Sequence, residues 1–230
     1  MSRMIYLGYF AESGHNTENR LSILASANKM AYIAGVFNTG RNHCEILSAS
    51  YTLDEIPHKA IRTTALNGVE IQFLDTLRYG GRIRRIISRA YSKNLLKKYL
   101  LTHLKKDDIL IVYHSLSYLK LIQAVKQKIK CTILMEVEEL YSDVAKTHRN
   151  VKIESLVPSV ADAFFFPTVM LNDVVNPYDK PYAIIHGTYQ VEEQRMHKNE
   201  YRRIRGWDEH KIHVVYAGTF DPRKGGALAA

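Results

Sequence analysis

The stretch DDILIVYHS, residues 107–115, decides how the chain is read. Its core, Ile109–Tyr113, is five residues long, rich in β-branched and aromatic side chains, and has no polar interruption. A run this short reads as a strand rather than a helix, and one apolar throughout belongs to a sheet covered on both faces. Directly after it come His114 and Ser115, two polar residues at the carboxyl end of a buried strand.

Segments of the same kind recur on both sides. Met4–Tyr9 (MIYLGY), Glu45–Ala49 (EILSA), Val69–Leu74 (VEIQFL), Cys131–Val137 (CTILMEV), Ala163–Phe166 (AFFF) and Tyr182–Ile185 (YAII) read as strands. Longer segments with helical spacing of apolar residues separate several of them. A helix is expected to start near Thr17, which would cap it, and to run through LSILASANKMAYIAGV to Gly35. Others are expected over Tyr118–Lys128 and, carrying Glu154, over Val151–Val160. Strands alternating with helices predict an α/β, doubly wound parallel sheet over residues 1–191. The very polar stretch 192–210 reads as a surface connection, and Lys211–Ala217 (KIHVVYA) as the first strand of a further domain over residues 211–230.

Composition narrows the function classes. The 230 residues carry 32 Lys and Arg against 23 Asp and Glu, a net charge of +9. Nine basic residues and no acidic one fall within Arg82–Lys106, which suggests contact with phosphates or an anionic membrane surface, or else a solvated helix face. Within this segment Ile83, Ile86, Ile87 and Ala90 share one helical face, whereas Leu95, Leu96, Tyr99 and Leu100 share another, so a bend near Ser92–Asn94 is expected. No RNA- or DNA-binding module accompanies the charge, so nucleic acid is not an expected partner. The only cysteines, Cys44 and Cys131, lie far apart, which fits a reducing, cytoplasmic setting. No apolar run approaches the roughly 20 residues needed to span a bilayer. With no Asp-x-Asp and no HxH or HxxxH pair, no metal is expected.

In a doubly wound sheet the ligand sits at the carboxyl ends of the strands. Those ends carry Gly14, His15 and Asn16, then His114 and Ser115, then Glu138, Glu139 and Tyr141. Gly14 permits a tight turn whose following N–H groups can hold a hydroxyl or anion, or it is simply part of a strand-to-helix turn. His114 can reach into the cleft and hydrogen-bond a ligand hydroxyl, or cap the next helix. Strand alternation sends Glu136 and Glu138 to one face, so neither is expected in the core. Glu138 or Glu139 can bind a ligand's hydroxyls with Tyr141 stacking on a ring, or the acids simply favour a helix start.

The end of the sequence, VVYAGTFDPRKGGALAA (residues 214–230), resembles the opening of the C-terminal domain of retaining GT-B glycosyltransferases of the family 4 type. In that family a strand ends in Gly, and Lys-Gly follows before a helix. MIYLGY with its loop, DDILIVYHS, ILMEVEELYSDV with ADAFFFPT, and PYAIIHGTY resemble successive features of the family's N-terminal domain, in order, although His186 stands where Asn is usual. The resemblance implies a Rossmann-like, acceptor-binding N-terminal domain with His114 beside the reacting sugar, and with Gly14, His15, Asn16, Ser115, Glu138, Glu139 and Tyr141 at the acceptor. It implies donor-phosphate contacts from Gly218, Arg223, Lys224 and Gly225, where Lys neutralises the diphosphate and Gly lets the backbone approach it. Thr219 occupies a position where many members carry Arg, so either Arg223 compensates or donor affinity is weaker. The implied activity is transfer of a sugar from a nucleotide-sugar co-substrate, with no further cofactor, to a carbohydrate or lipid-linked acceptor. Cell-surface polysaccharide or glycoconjugate synthesis, cytoplasmic or at the inner face of the membrane, is the implied setting. Because the sequence reaches only the start of the sugar-nucleotide-binding domain, these 230 residues are expected to be inactive alone. An alternative is a non-catalytic half that partners a separate donor-binding chain.

Overall fold

In the computed structural model, β5 (Ile109–Tyr113) lies inside an eight-stranded sheet with β1 (Arg3–Gly8) on one side and β6 (Thr132–Glu136) on the other. The structure describes residues 3–12, 17–38, 42–65, 67–144, 147–187, 198–208 and 210–212. Beyond β1 the sheet continues through β2 (His43–Ser48), β4 (Glu70–Phe73) and β3 (Ile61–Thr64). Beyond β6 it continues through β7 (Ala163–Phe166) and β8 (Tyr182–Ile184). Every pairing is parallel except that of β3 with β4. The expected doubly wound α/β sheet is therefore present, with one antiparallel edge strand that the sequence reading missed.

Helices cover both faces. On one, α1 (Leu24–Phe37) lays Met30, Ile33 and Ala34 against Tyr6, Ile46, Ile71 and Ile111. On the other, α2 (Arg82–His103) and α3 (Leu119–Ile129) bring Leu96, Leu100, Leu119, Ile122 and Val125 onto Ile5, Leu7, Leu110 and Val112. Alternation along β1 and β5 feeds both layers, which is why neither strand shows polar alternation. Gly8 closes β1 under α1. A Cβ there would lie 2.5 Å from Sδ of Met30 and 3.2 Å from Cβ of Tyr113, so the Met30 side chain takes the space that a side chain at residue 8 would need.

Several local expectations need correction. The first helix starts at Leu24, not near Thr17, which lies in a turn and caps nothing. Arg20 explains the delay. Its buried side chain pairs with Glu18 at 2.6 Å and donates to the Leu74 carbonyl at 3.0 Å, pinning residues 18–21 along the sheet edge in a non-helical path. The basic segment forms one helix of 22 residues, without the expected break near Ser92–Asn94. Its first apolar stripe never meets the core: Ile83, Ile86 and Ile87 are 73%, 69% and 53% exposed. Two stripes on different faces need a bend only if both are buried.

After β6 the chain makes three short helices, α4 (Tyr141–Val144), α5 (His148–Glu154) and α6 (Val157–Val160), where one was expected over Val151–Val160. Between β7 and β8 lies α7 (Val169–Val175), which the sequence reading missed. The chain divides into two compact units, Met1–Tyr189 and Gln190–Ala230. In the second, α8 (Lys198–Arg205) falls within the polar stretch read as a connection. Of the strand expected at Lys211–Ala217, Lys211 and Ile212 are described and are not in a strand, and the rest lies outside the described residues.

Candidate functional site

β1 and β5 are neighbours, yet the chain leaves β1 for α1 on one face and leaves β5 for α3 on the other. Their carboxyl ends thus flank a crevice at a topological switch point, where open α/β sheets take ligands. Tyr9 follows β1, residues 114–118 follow β5, and the two segments meet where the Tyr9 hydroxyl lies 2.7 Å from Oγ of Ser117. Ser117 is in turn 2.8 Å from Oγ of Ser115.

Two cavities open on this crevice. One, of about 310 Å³, is walled by Leu21, Ile23, Tyr113, His114, Leu116 and Tyr141, with Ser115 and Asn150 also lining it. The other, of about 390 Å³, is lined by Tyr51 and Tyr118, by Ser92, Ser115 and Ser117, and by Arg89, Lys93 and Arg149. Both volumes fall within the range of small-molecule sites.

His114 stands in the wall of the smaller cavity. Its backbone N–H donates to the Glu136 carbonyl at 2.8 Å, continuing the sheet by one residue. The imidazole is 2% exposed, packs at 5.1 Å centroid distance from the ring of Tyr141, and has Glu154 3.9 Å from its Nε2. Neither ring nitrogen makes a hydrogen bond among the described residues. Burial pushes its pKa down to about 4, against the opposing pull of Glu154. At neutral pH it is a neutral imidazole with one donor and one acceptor, the form suited to exchanging a hydrogen bond with a hydroxyl. Glu154 is held by two backbone donors, N–H of Tyr141 at 2.8 Å and of Ser142 at 2.9 Å, so it anchors α4 against the site. The Tyr141 hydroxyl donates to the His114 carbonyl at 3.2 Å.

The acidic loop divides between the two faces. Glu136 and Glu138 do share a face, as alternation required, but Glu136 is 0% exposed, contrary to the expectation that neither would be core. The reason is Lys29 of α1. Its Nζ lies 3.3 Å from Glu136 and 2.5 Å from Glu138, and donates to the Ile185 carbonyl at 3.0 Å. One ammonium can balance one of the two carboxylates. Burial, then the Glu138 carboxylate, push the Glu136 pKa up to about 9, so Glu136 keeps its proton at neutral pH.

The structure therefore brings His114, Ser115 and Tyr141 together around one cavity. It places Glu138 on the opposite face, engaged with Lys29, and leaves Glu139 exposed outside both cavities. Gly14, His15, Asn16, Gly218, Arg223, Lys224 and Gly225 lie outside the described residues. Sequence reasoning missed Lys29, Tyr9, Ser117, Arg149 and the anchoring role of Glu154. Lys29 left a trace, as a lysine within the apolar stripe formed by Ala27, Met30 and Ile33. Among the described residues, His43, Glu45 and Glu70 form a cluster able to hold a metal ion. It lies at the opposite, amino end of β2 and β4, and Glu45 already pairs with Arg3 at 2.5 Å and Arg62 at 3.0 Å, which disfavours a cation there.

No protein-family profile matches the sequence. No curated protein matches it either. Solved structures do. A sucrose-phosphate synthase from Thermosynechococcus elongatus superposes with a TM-score of 0.51 at 8% identity, over 80% of this chain and 88% of that one. A UDP-forming alpha,alpha-trehalose-phosphate synthase from Burkholderia vietnamiensis gives a TM-score of 0.50 at 14% identity, over 77% of this chain and 42% of that one. An alpha,alpha-trehalose 6-phosphate synthase from Burkholderia multivorans matches with a TM-score of 0.46 at 13% identity, over 76% of this chain. The chain spans about two fifths of the length of these two trehalose-phosphate synthases, 42% and 41%. What the chain has in common with the first two is the fold, a Rossmann-like sheet of the GT-B kind.

Proposed function

We propose that this protein is the acceptor-binding part of a glycosyltransferase that moves a sugar from a nucleotide-sugar donor to a carbohydrate or lipid-linked acceptor. The observation that carries the reading is the crevice between β1 and β5. It joins two cavities rich in hydroxyls and tyrosines to a buried, neutral His114 with free hydrogen-bonding capacity. The fold neighbours, by name a sucrose-phosphate synthase and a UDP-forming trehalose-phosphate synthase, support this class of chemistry. In such a reaction the protein chiefly orients two substrates and stabilises the departing diphosphate. His114 would exchange a hydrogen bond with the acceptor hydroxyl, Ser115 would add a second contact, and Tyr141 would hold the imidazole in place. Gly218, Arg223, Lys224 and Gly225 would face the donor diphosphate, and retention of configuration follows from the family resemblance alone.

Isothermal titration with panels of saccharides and nucleotide sugars tests the assignment of the acceptor side to this sheet. Saccharide binding that His114→Ala weakens by roughly tenfold, or about 1.4 kcal/mol, is expected. Sub-millimolar binding of a nucleotide sugar that His114→Ala abolishes, with no saccharide bound, would place the donor here instead and overturn the reading.

The N-terminal half of α2 fits an anionic membrane at the cytoplasmic face, which would bring the site to a lipid-linked acceptor. Exposed Ile83, Ile86 and Ile87 stand among Arg82, Arg84 and Arg85, the mixed composition of an interfacial helix. Near such a surface each cation contributes about 1 kcal/mol. No helix among the described residues is long and apolar enough to cross a membrane, so the contact would be peripheral. Co-sedimentation that is equal with neutral and anionic vesicles, or absent with both, contradicts it.

A further inference from the structure

Cations from two distant segments converge on the 390 Å³ cavity, and no acid stands among its described lining residues. Arg89 and Lys93 come from α2, and Arg149 comes from α5, far away in sequence. No carboxylate is among the lining residues, and none of the three cations makes an ion pair among the described residues. They also crowd one another. The Lys93 pKa is lowered by burial first and then by the positive charges of Arg149 and Arg89. Arg89 is exposed but held at the cavity by aromatic groups, with its guanidinium 5.6 Å from the Tyr51 ring centroid and 3.4 Å from the Tyr79 hydroxyl. Beside them lies Ser92, whose hydroxyl is buried and makes no hydrogen bond among the described residues. Across the cavity stand the hydroxyls of Ser115 and Ser117.

A second cavity of about 400 Å³, over β3 and β4, provides the contrast. It too holds an arginine, Arg20, but there Glu18 accepts from the guanidinium at 2.6 Å and also lines the wall. That arginine holds the fold together. The cluster on the α2 side balances nothing within the described protein, and three exposed like charges around one concave space make a field that favours an anion there.

We infer that the cavity bounded by Arg89, Lys93, Arg149 and Ser92 binds a phosphate group, and that the acceptor of the proposed reaction is phosphorylated. A phosphate monoester offers the oxygens that two guanidiniums, an ammonium and a serine hydroxyl can all engage, and Arg meets such oxygens in pairs. The attached sugar or lipid would extend past Tyr9 and Ser115, which line both cavities, towards His114. This deepens the glycosyltransferase reading and rests on it for the sugar, but not for the phosphate.

The test is calorimetric titration of the full chain with inorganic phosphate, a hexose, the corresponding hexose 6-phosphate, and vesicles of phosphatidic acid. Wild type is compared with Lys93→Ala, Arg149→Ala and, as a control elsewhere on α2, Lys98→Ala, an exposed residue outside the cavity. Hexose 6-phosphate or phosphatidic acid is expected to bind at least tenfold more tightly than hexose. Arg149→Ala and Lys93→Ala should each lose roughly tenfold, and Lys98→Ala should keep hexose-phosphate binding. Loss with Arg149→Ala for the hexose phosphate puts the phosphate on a soluble sugar, and loss for the vesicles puts it on a lipid. If neither ligand loses affinity in the two cavity variants, the inference is overturned. Hexose bound as tightly as hexose phosphate would remove the phosphate and keep the acceptor site, whereas phosphate bound with no contribution from any sugar would do the reverse.

Discussion

On the α1 face of the sheet, Lys29 meets Glu136, Glu138 and the Ile185 carbonyl; on the α2 face, Arg89, Lys93 and Arg149 surround a cavity with no carboxylate among its described lining residues. Both groups sit at the carboxyl edge of one sheet, the first beyond β6 and β8 and the second beyond β1, β2 and β5. The first matches its charges internally, one ammonium to one carboxylate, and stores the surplus as a proton on Glu136. The second leaves three positive charges unmatched. A charge set that closes on itself is sufficiently explained by stability, whereas one that stays open points outward to a ligand.

The comparison can be broken most forcefully at Lys29. Replacing it with Met leaves Glu138 beside a buried Glu136 with no counter-ion, and urea denaturation should show a loss of about 3–5 kcal/mol. A loss below about 1 kcal/mol would mean that the α1 face is not held by this group.

The proton on Glu136 gives the next largest effect. An acid whose folded pKa is raised contributes stability that is complete below its ordinary value near 4.5 and declines as pH climbs towards about 9. Glu136→Gln imitates the protonated form. Its advantage over wild type should therefore grow between pH 6 and pH 8, by on the order of 1 kcal/mol per pH unit. A constant difference across that range would show that Glu136 is already ionised in the folded protein.

His114 slopes the other way. Its folded pKa is depressed, so its contribution is complete above pH 6.5 and is lost as pH falls towards about 4. His114→Gln should flatten this acid limb, by on the order of 1 kcal/mol between pH 6 and pH 5. An unchanged limb would mean that the imidazole is solvated enough to accept its proton in place.

The smallest effect is expected at the open charge set. Lys93→Ala or Arg149→Ala should alter stability by about 0.5 kcal/mol or less, since each removes repulsion and little packing. Thermal melts that fell by several degrees would show that these cations hold α2 and α5 together, which would undo the contrast between the two faces.

Much of this was legible in the residues. Ile109–Tyr113 and Ala163–Phe166 were placed to the residue, because a run buried on both faces leaves no polar interruption to blur its ends. His114 stood out for a related reason, as a polar side chain where such a run stops. By contrast, β3 reads IRTT and is exposed along its whole length, so only its pairing with β4 makes it a strand, and no local pattern records that. The isoleucines of α2 misled because apolar spacing reports a shared face, not what covers it. Alternation placed Glu136 and Glu138 together correctly, yet their burial depends on Lys29, more than a hundred residues earlier. The convergence of Arg149 with Arg89 and Lys93 is of the same kind, since distant segments meet there only after folding.

The position of β1 has a consequence for how the chain reaches this state. Met4 pairs with Cys44 on one side and with Ile109 on the other, so the first strand made cannot gain its second neighbour until β5 exists. Closing a loop of about a hundred residues costs only a few kcal/mol more entropy than closing a short one, but contacts this distant slow the search. At translation rates of roughly 5–20 residues per second, β1 waits on the order of 5–20 s with apolar faces and an unpaired edge exposed. Before the protein is a candidate enzyme it is thus, for that interval, a sticky nascent chain whose yield depends on what keeps its first strand from other partners.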